Sequence, residues 1–154
     1  MPVNRPLPKA LWARARNPAW LCFVWFGLTA GISLLEAPVK FTAPTITREI
    51  ALDVGRVVFL ALNRVEMIAL ILLLVLIRIS GWSRRLWGAW ALLVLIMVAQ
   101  TAWLLPELAE RSKLIVVGFD PGPSIAHGTY AVLELLKLAL LLFLGFRTMP
   151  GPRS

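Results

Sequence analysis

IAHGTYAVLELLKLALLLFLGF, running from Ile125 to Phe146, is the stretch that decides the fold. A bilayer core takes about 20 apolar residues to cross as a helix, and this run meets that length while carrying His127, Tyr130, Glu134 and Lys137. At about 100° per residue, those four fall within a sector of roughly 80° on one helix face. Leu, Ala, Val and Phe fill most of the remaining surface. Such a helix turns its apolar sides to lipid and its polar edge to other helices or to a wet cavity. Glu and Lys near the centre of a span cost on the order of 3 kcal/mol each to insert, and each Leu returns about 0.3 to 0.6 kcal/mol. The segment therefore inserts only marginally alone and needs partners from other helices.

The rest of the chain supplies those helices. It has 154 residues, 59% apolar and only 16% charged, well below the quarter or so of a soluble domain. An all-α integral membrane four-helix bundle follows, with a basic tail at 1–17, spans at about 18–36, 52–79, 86–105 and 125–146, and a short tail at 147–154. The net charge of +8 does not indicate nucleic acid, because the basic residues flank apolar spans, where the positive-inside rule accounts for them. The one cysteine, Cys22, lies in an apolar run, so an internal disulfide, a CxxC redox pair and a Cys-based zinc site are excluded. No GxGxxG, GxxxxGK[ST] or HExxH motif is present, which leaves no nucleotide or zinc-protease signature.

In the tail, Trp12 is expected among the headgroups beside Arg5, Lys9, Arg14 and Arg16. A basic start before an apolar run also resembles a signal peptide, but the residues around Thr29 and Gly31 make a poor cleavage site. Gly27 and Gly31 form a GxxxG, a pattern that lets helices approach closely. Pro38 and Pro44 are expected to break the helix after span one, and Thr45 or Thr47 to cap span two. Span two, Arg48 to Ile79, is roughly 45 Å as a helix, longer than the hydrocarbon core, with a bend expected at Gly55. Counting helix rise from its outer end brings Glu66 to mid-membrane, at the depth of Lys137. A Glu66–Lys137 pair is the main expectation, with Arg64 paired to Glu134 or Glu36. The short GWSRR loop makes spans two and three a hairpin, with Trp82, Trp87 and Trp90 at the interface. Gln100 near the outer end of span three reads as interhelical glue. Pro106 is expected to start or kink an amphipathic helix, and Ser124 to cap the last span.

Orientation follows from charge. One side holds Arg5, Lys9, Arg14, Arg16, Arg78, Arg84, Arg85, Arg147 and Arg153 without a single acid. On the other side, Lys40, Arg48, Arg56, Arg111 and Lys113 are diluted by Glu36, Glu49, Asp53, Glu107, Glu110 and Asp120. Both termini are expected in the cytoplasm of a cell whose plasma (inner) membrane holds the protein.

Asn63, Arg64, Glu66, Gln100, His127, Tyr130, Glu134 and Lys137 form the candidate intramembrane site, and Glu36, Asp53, Arg56 and Glu107 its outer mouth. Titratable groups at stepped depths facing inward are what ion and proton pathways need, and His127 is expected near the outer mouth, where a histidine is the residue type suited to exchanging protons. The simpler reading is a set of buried pairs fixing helix register. The expected function is non-enzymatic binding or permeation of a small ion or polar solute through a cleft open to the outer side. The alternative is an assembly subunit whose partner is a second copy or another membrane protein. Cys22, Met67, Met97, His127, Glu36 and Glu107 include metal-ligand types, but without ligand spacing, so copper-type handling ranks lower and no metal site or cofactor is assigned. A Glu and a His without a nucleophile or cofactor motif do not suggest an enzyme.

Gly31, Ala37, Pro38, Val39, Phe41, Arg48, Val54, Gly55, Arg56 and Phe59 follow a pattern of glycine-bearing helix, AP-V-x-F step, basic residue and glycine segment ending in Phe. In this the chain resembles the transmembrane-protein-205-like family of small membrane domains. The leucine–proline step at Pro106 and His127 at the start of the last span are similar too. The likeness covers about 30–145 and implies a four-helix membrane protein without supplying an activity. Glu66, Glu134 and Lys137 depart from the family's blander spans. A looser likeness to copper-resistance-type membrane domains is the other reason metal handling is considered.

Overall fold

Four helices run through residues 16–149, the part of the chain that the computed structural model describes. They are α1 (Ala19–Thr42), α2 (Arg48–Ser80), α3 (Arg84–Val116) and α4 (Ala126–Thr148), each long and apolar enough to cross a membrane. The described residues contain no strand. The all-α membrane bundle expected from composition is therefore the fold. Trp12 and the basic residues before Arg16, together with Arg153, lie outside the described residues.

Local chemistry sets the helix ends. Thr47 Oγ1 accepts the Ile50 N–H at 3.4 Å, the capping role expected of Thr45 or Thr47. Gly81 ends α2 with φ of 65°, a left-handed backbone that glycine adopts without steric cost. Ser124 Oγ accepts the Ala126 N–H at 3.0 Å and starts α4. Asn17 Nδ2 donates to the Thr148 carbonyl, and Ser80 Oγ donates to that of Arg16. These bonds gather the ends of α1, α2 and α4 on one side, the terminal end.

The expectation for Pro38 needs correction. α1 does not stop before Pro38: it passes through a π-helical stretch, Gly31–Glu36, and continues to Thr42, where the chain turns extended at Ala43 just before Pro44. Pro106 does stand where a helical segment starts: after a second π-helical stretch, Gln100–Leu104, α-helix resumes at Leu105 with Pro106 in its first turn and runs to Val116 without a break in α3. A proline in an α-helix clashes with the carbonyl four residues back and leaves it without a donor. A wider i→i+5 turn placed just before the proline relieves both problems. α2 is likewise continuous over 33 residues through Gly55. The Gly55 surface receives Lys40, whose Nζ would lie 2.7 Å from any added Cβ.

The Ala19–Ala30 part of α1 packs against α4, and α2 packs against the Leu105–Val116 part of α3. At Gly145 a Cβ would fall 2.9 Å from the Phe23 ring, so glycine sets the α1–α4 approach. The expected GxxxG contact does not form within this chain: Gly27 and Gly31 are exposed, with open space where a Cβ would stand. On the terminal side, Leu21, Cys22, Trp25, Leu73, Ile77, Leu93, Met97, Leu141 and Leu144 make one apolar cluster. On the other side, Leu104, Leu105, Ala126 and Tyr130, with Phe59, Leu108 and Leu133 against them, make a second. Trp87 and Trp90 meet edge to face at 5.7 Å, and Arg78 stacks over Trp87, the aromatic interface expected at the hairpin.

Candidate functional site

Between the two apolar clusters lies a layer of polar side chains. Lys137, on the buried edge of α4, is 0% exposed; Glu66 on α2 is 1%, Gln100 on α3 is 0% and Glu134 on α4 is 3% exposed. The expected Glu66–Lys137 pair is present, with Lys137 Nζ 2.7 Å from Glu66 Oε1 and 2.8 Å from Oε2. The same ammonium reaches Glu134 Oε2 at 2.8 Å and Gln100 Oε1 at 3.1 Å. An ammonium has three N–H donors and no acceptor, so these three residues saturate it.

Neutral donors complete the carboxylates. Trp25 Nε1 and Thr29 Oγ1 both donate to Glu66 Oε1, at 2.9 and 2.8 Å. Gln100 Nε2 donates to Glu134 Oε2 at 2.7 Å. Ser33 Oγ lies 2.7 Å from Glu134 Oε1. Lys137 fixes the Gln100 amide orientation, because only the amide oxygen can face a group that is purely a donor. Charge-assisted bonds of this kind are about twice as strong as neutral ones, which is what a buried charge requires. Among the described residues, the one buried side-chain polar atom left without a partner is Trp90 Nε1, away from this layer.

Both π-helical stretches supply this layer. Ser33 lies within the first and Gln100 opens the second, and between them they contact both oxygens of Glu134. Thr101, also in the second, accepts from Asn63 Nδ2 at 2.9 Å. π-turns inside α-helices occur frequently at functional positions.

The remaining candidates separate. Tyr130 is buried and packs edge to face on Phe59 at 5.7 Å. With its apolar neighbours it closes the layer on the side away from the termini, so the layer is enclosed and not an open cleft. His127 is exposed on the first turn of α4 and takes no part in the layer's bonds. Arg64 pairs with neither Glu134 nor Glu36. It is exposed on the opposite side of α2, while Glu134 is held by Ser33, Gln100 and Lys137, and Glu36 by Lys40 at 3.4 Å. Two residues of helix, about 200°, separate Arg64 from Glu66, which is why one faces in and the other out.

Of the outer-mouth residues, Asp53 pairs with Arg56 at 2.7 Å in an exposed position. Glu107 accepts from Ser124 at 2.9 Å. Lys40, above Glu36, also lies 5.6 Å from the Phe59 ring centre. The described residues bring no three of His, Cys, Asp and Glu together as a metal group would need, and Cys22 and Met97 sit in the apolar cluster.

Trp25, Thr29, Ser33 and Thr101 were not among the residues that the sequence reading selects. Thr29 and Ser33 are four apart on α1, hence on one face, and that spacing of hydroxyls in an apolar span is the signal available. Trp25 carries no such signal, since indoles in spans are ordinarily interfacial or packing groups. Compared with known proteins, the chain matches no family model, no curated protein and no solved structure.

Proposed function

We propose that this membrane protein is non-enzymatic and binds or passes a small cation at the layer formed by Glu66, Glu134 and Lys137, with the described arrangement as its enclosed state. The observation that carries this reading is the charge count. Two carboxylates surround one ammonium, with no second cation among the described residues in contact with either, so by formal count the layer has one negative charge in excess. A set of pairs that only fixed register would be neutral. Buried ionisable residues at mid-membrane mark ion and proton routes by default. Basic residues at the terminal end and acids at the other support a plasma-membrane orientation with both termini in the cytoplasm. The likeness to the transmembrane-protein-205-like family is compatible with this reading and adds no mechanism.

The test is cation and proton flux in proteoliposomes carrying the full chain. Wild-type protein is expected to dissipate an imposed gradient, and the Glu134→Gln, Lys137→Leu double variant to lose that activity. Wild-type flux in the double variant would remove those residues from the mechanism. Arg64 favours a second reading, an assembly subunit, because an exposed cation well inside a span is costly when it faces lipid. Co-purification of a stoichiometric membrane partner, with no flux from the wild-type chain, would support that reading instead.

A further inference from the structure

The geometry points to a single proton as the layer's resident cation, seated on Glu134 Oε1 and facing Ser33 Oγ, with Glu66 ionised. This deepens the small-cation reading above and rests on it for function, though not for the position of the proton.

Every group facing the two carboxylates can be named. α1 presents Trp25, Thr29 and Ser33, all neutral. α2 presents Glu66, and Asn63 on the same helix is committed to Thr101. α3 presents Gln100, and α4 presents Lys137 and Tyr130. Lys137 is the one positive charge among them. An uncompensated charge enclosed between apolar clusters costs several kcal/mol, and a carboxylate in that position takes up a proton instead.

Four oxygens compete for that proton, and three are already taken by donors that cannot reverse. Glu66 Oε1 faces the Trp25 N–H, Thr29 and Lys137. An indole nitrogen only donates, so a proton on this oxygen would oppose both it and the ammonium. Glu66 Oε2 faces Lys137. Glu134 Oε2 faces Lys137 and the Gln100 amide nitrogen, whose orientation Lys137 fixes. Glu134 Oε1 faces only Ser33 Oγ, at 2.7 Å. A hydroxyl both donates and accepts, so Ser33 can accept from a protonated Glu134 without loss of any other bond. The same count leaves no oxygen free of protein donors to bind a larger cation.

Ser33 also gives the proton a direction. It is partly exposed, and Glu36, with a side chain 34% exposed, stands one turn further from the termini. Towards the termini the layer meets Leu73, Leu93, Met97 and Leu141, at 0 to 1% exposure. On exchange, the Glu134 O–H bond breaks as Ser33 Oγ takes that proton and the Ser33 hydroxyl passes its own proton to solvent water at its exposed edge; transfer from water back through Ser33 re-forms the O–H bond on Glu134.

Infrared difference spectroscopy of the reconstituted full chain, on exchange from H2O to D2O, reads this directly. Wild-type protein is expected to show one protonated-carboxyl C=O band. Ser33→Ala should move it to higher wavenumber by removing its hydrogen-bond acceptor, Ser33→Thr should leave it in place, and Thr29→Val should leave it nearly unmoved. Glu134→Gln should abolish it with thermal unfolding unchanged. The proposal fails if wild-type protein shows no such band, or if Thr29→Val moves the band and Ser33→Ala does not. The band does not depend on transport: its presence on Glu134 in a protein without flux would overturn the cation-passage reading and leave the proton's seat standing.

Discussion

Two ion pairs in this molecule have the same length and opposite surroundings. Lys137–Glu66 and Arg56–Asp53 are both 2.7 Å apart, but the side chains of the first pair are 0 and 1% exposed and those of the second 26 and 53%. The exposed pair gives up little by separating, because water and salt solvate each partner. The buried pair has no such exit. Each of its members is held by further donors or acceptors from other helices, so losing one partner leaves the others unsatisfied in an apolar surrounding. Distance alone therefore says nothing about what a pair contributes; enclosure and the completeness of the bonding decide it.

Four substitutions sharpen that contrast, measured as unfolding in a mild detergent–denaturant titration. Lys137→Leu should be the most damaging, at about 3–5 kcal/mol, since two carboxyl groups lose their shared cation. A loss below that range would mean that the carboxyls are already solvated and the layer is not enclosed. Trp25→Phe removes one N–H to a charged acceptor, which by itself should cost about 1.5–3 kcal/mol, and leaves a cavity where the larger buried indole stood, which adds to the loss. Asp53→Asn should cost less than about 1 kcal/mol, and the difference should shrink as salt is raised. A loss as large as that of Trp25→Phe would break the comparison. Glu134→Gln should change stability least of all: its amide oxygen can still accept from Gln100 and Lys137, and its nitrogen can donate to Ser33. Its effect should appear in proton flux, where the variant is expected to be inactive.

Residue by residue, the layer was partly legible. Glu66 and Lys137 could be matched from sequence because helix rise is constant: counting residues from a span's end gives depth, and two ionisable groups of opposite sign at one depth rarely remain apart. Arg64 could not be placed that way. Depth says nothing of azimuth across two helices, and Arg64 stands on the exposed side of α2 while Glu66 faces inward. Ser33 and Thr29 were hidden for another reason. Hydroxyls in a membrane helix ordinarily satisfy themselves on their own backbone, as Thr148 does on the Leu144 carbonyl, and nothing local distinguishes the pair that reaches a carboxylate. The π-helical stretches left only an indirect mark, a proline just beyond each. Read locally, Pro38 and Pro106 mean a break or a restarted helix; in the fold the wider turn absorbs them and brings Ser33 and Gln100 to Glu134.

The amino-acid sequence by itself determined that four apolar helices fold together and that charged side chains on two of them meet at mid-depth, because hydrocarbon thickness and helix rise leave no other arrangement for those residues. Only the tertiary structure decided which neutral groups surround the charges, that apolar clusters cap the layer towards both ends with Ser33 as its partly exposed edge, and that Glu134 carries the one oxygen able to keep a proton. Those outcomes depend on the rotation of each helix against its neighbours, which is set by packing over the whole bundle and is written in no single segment.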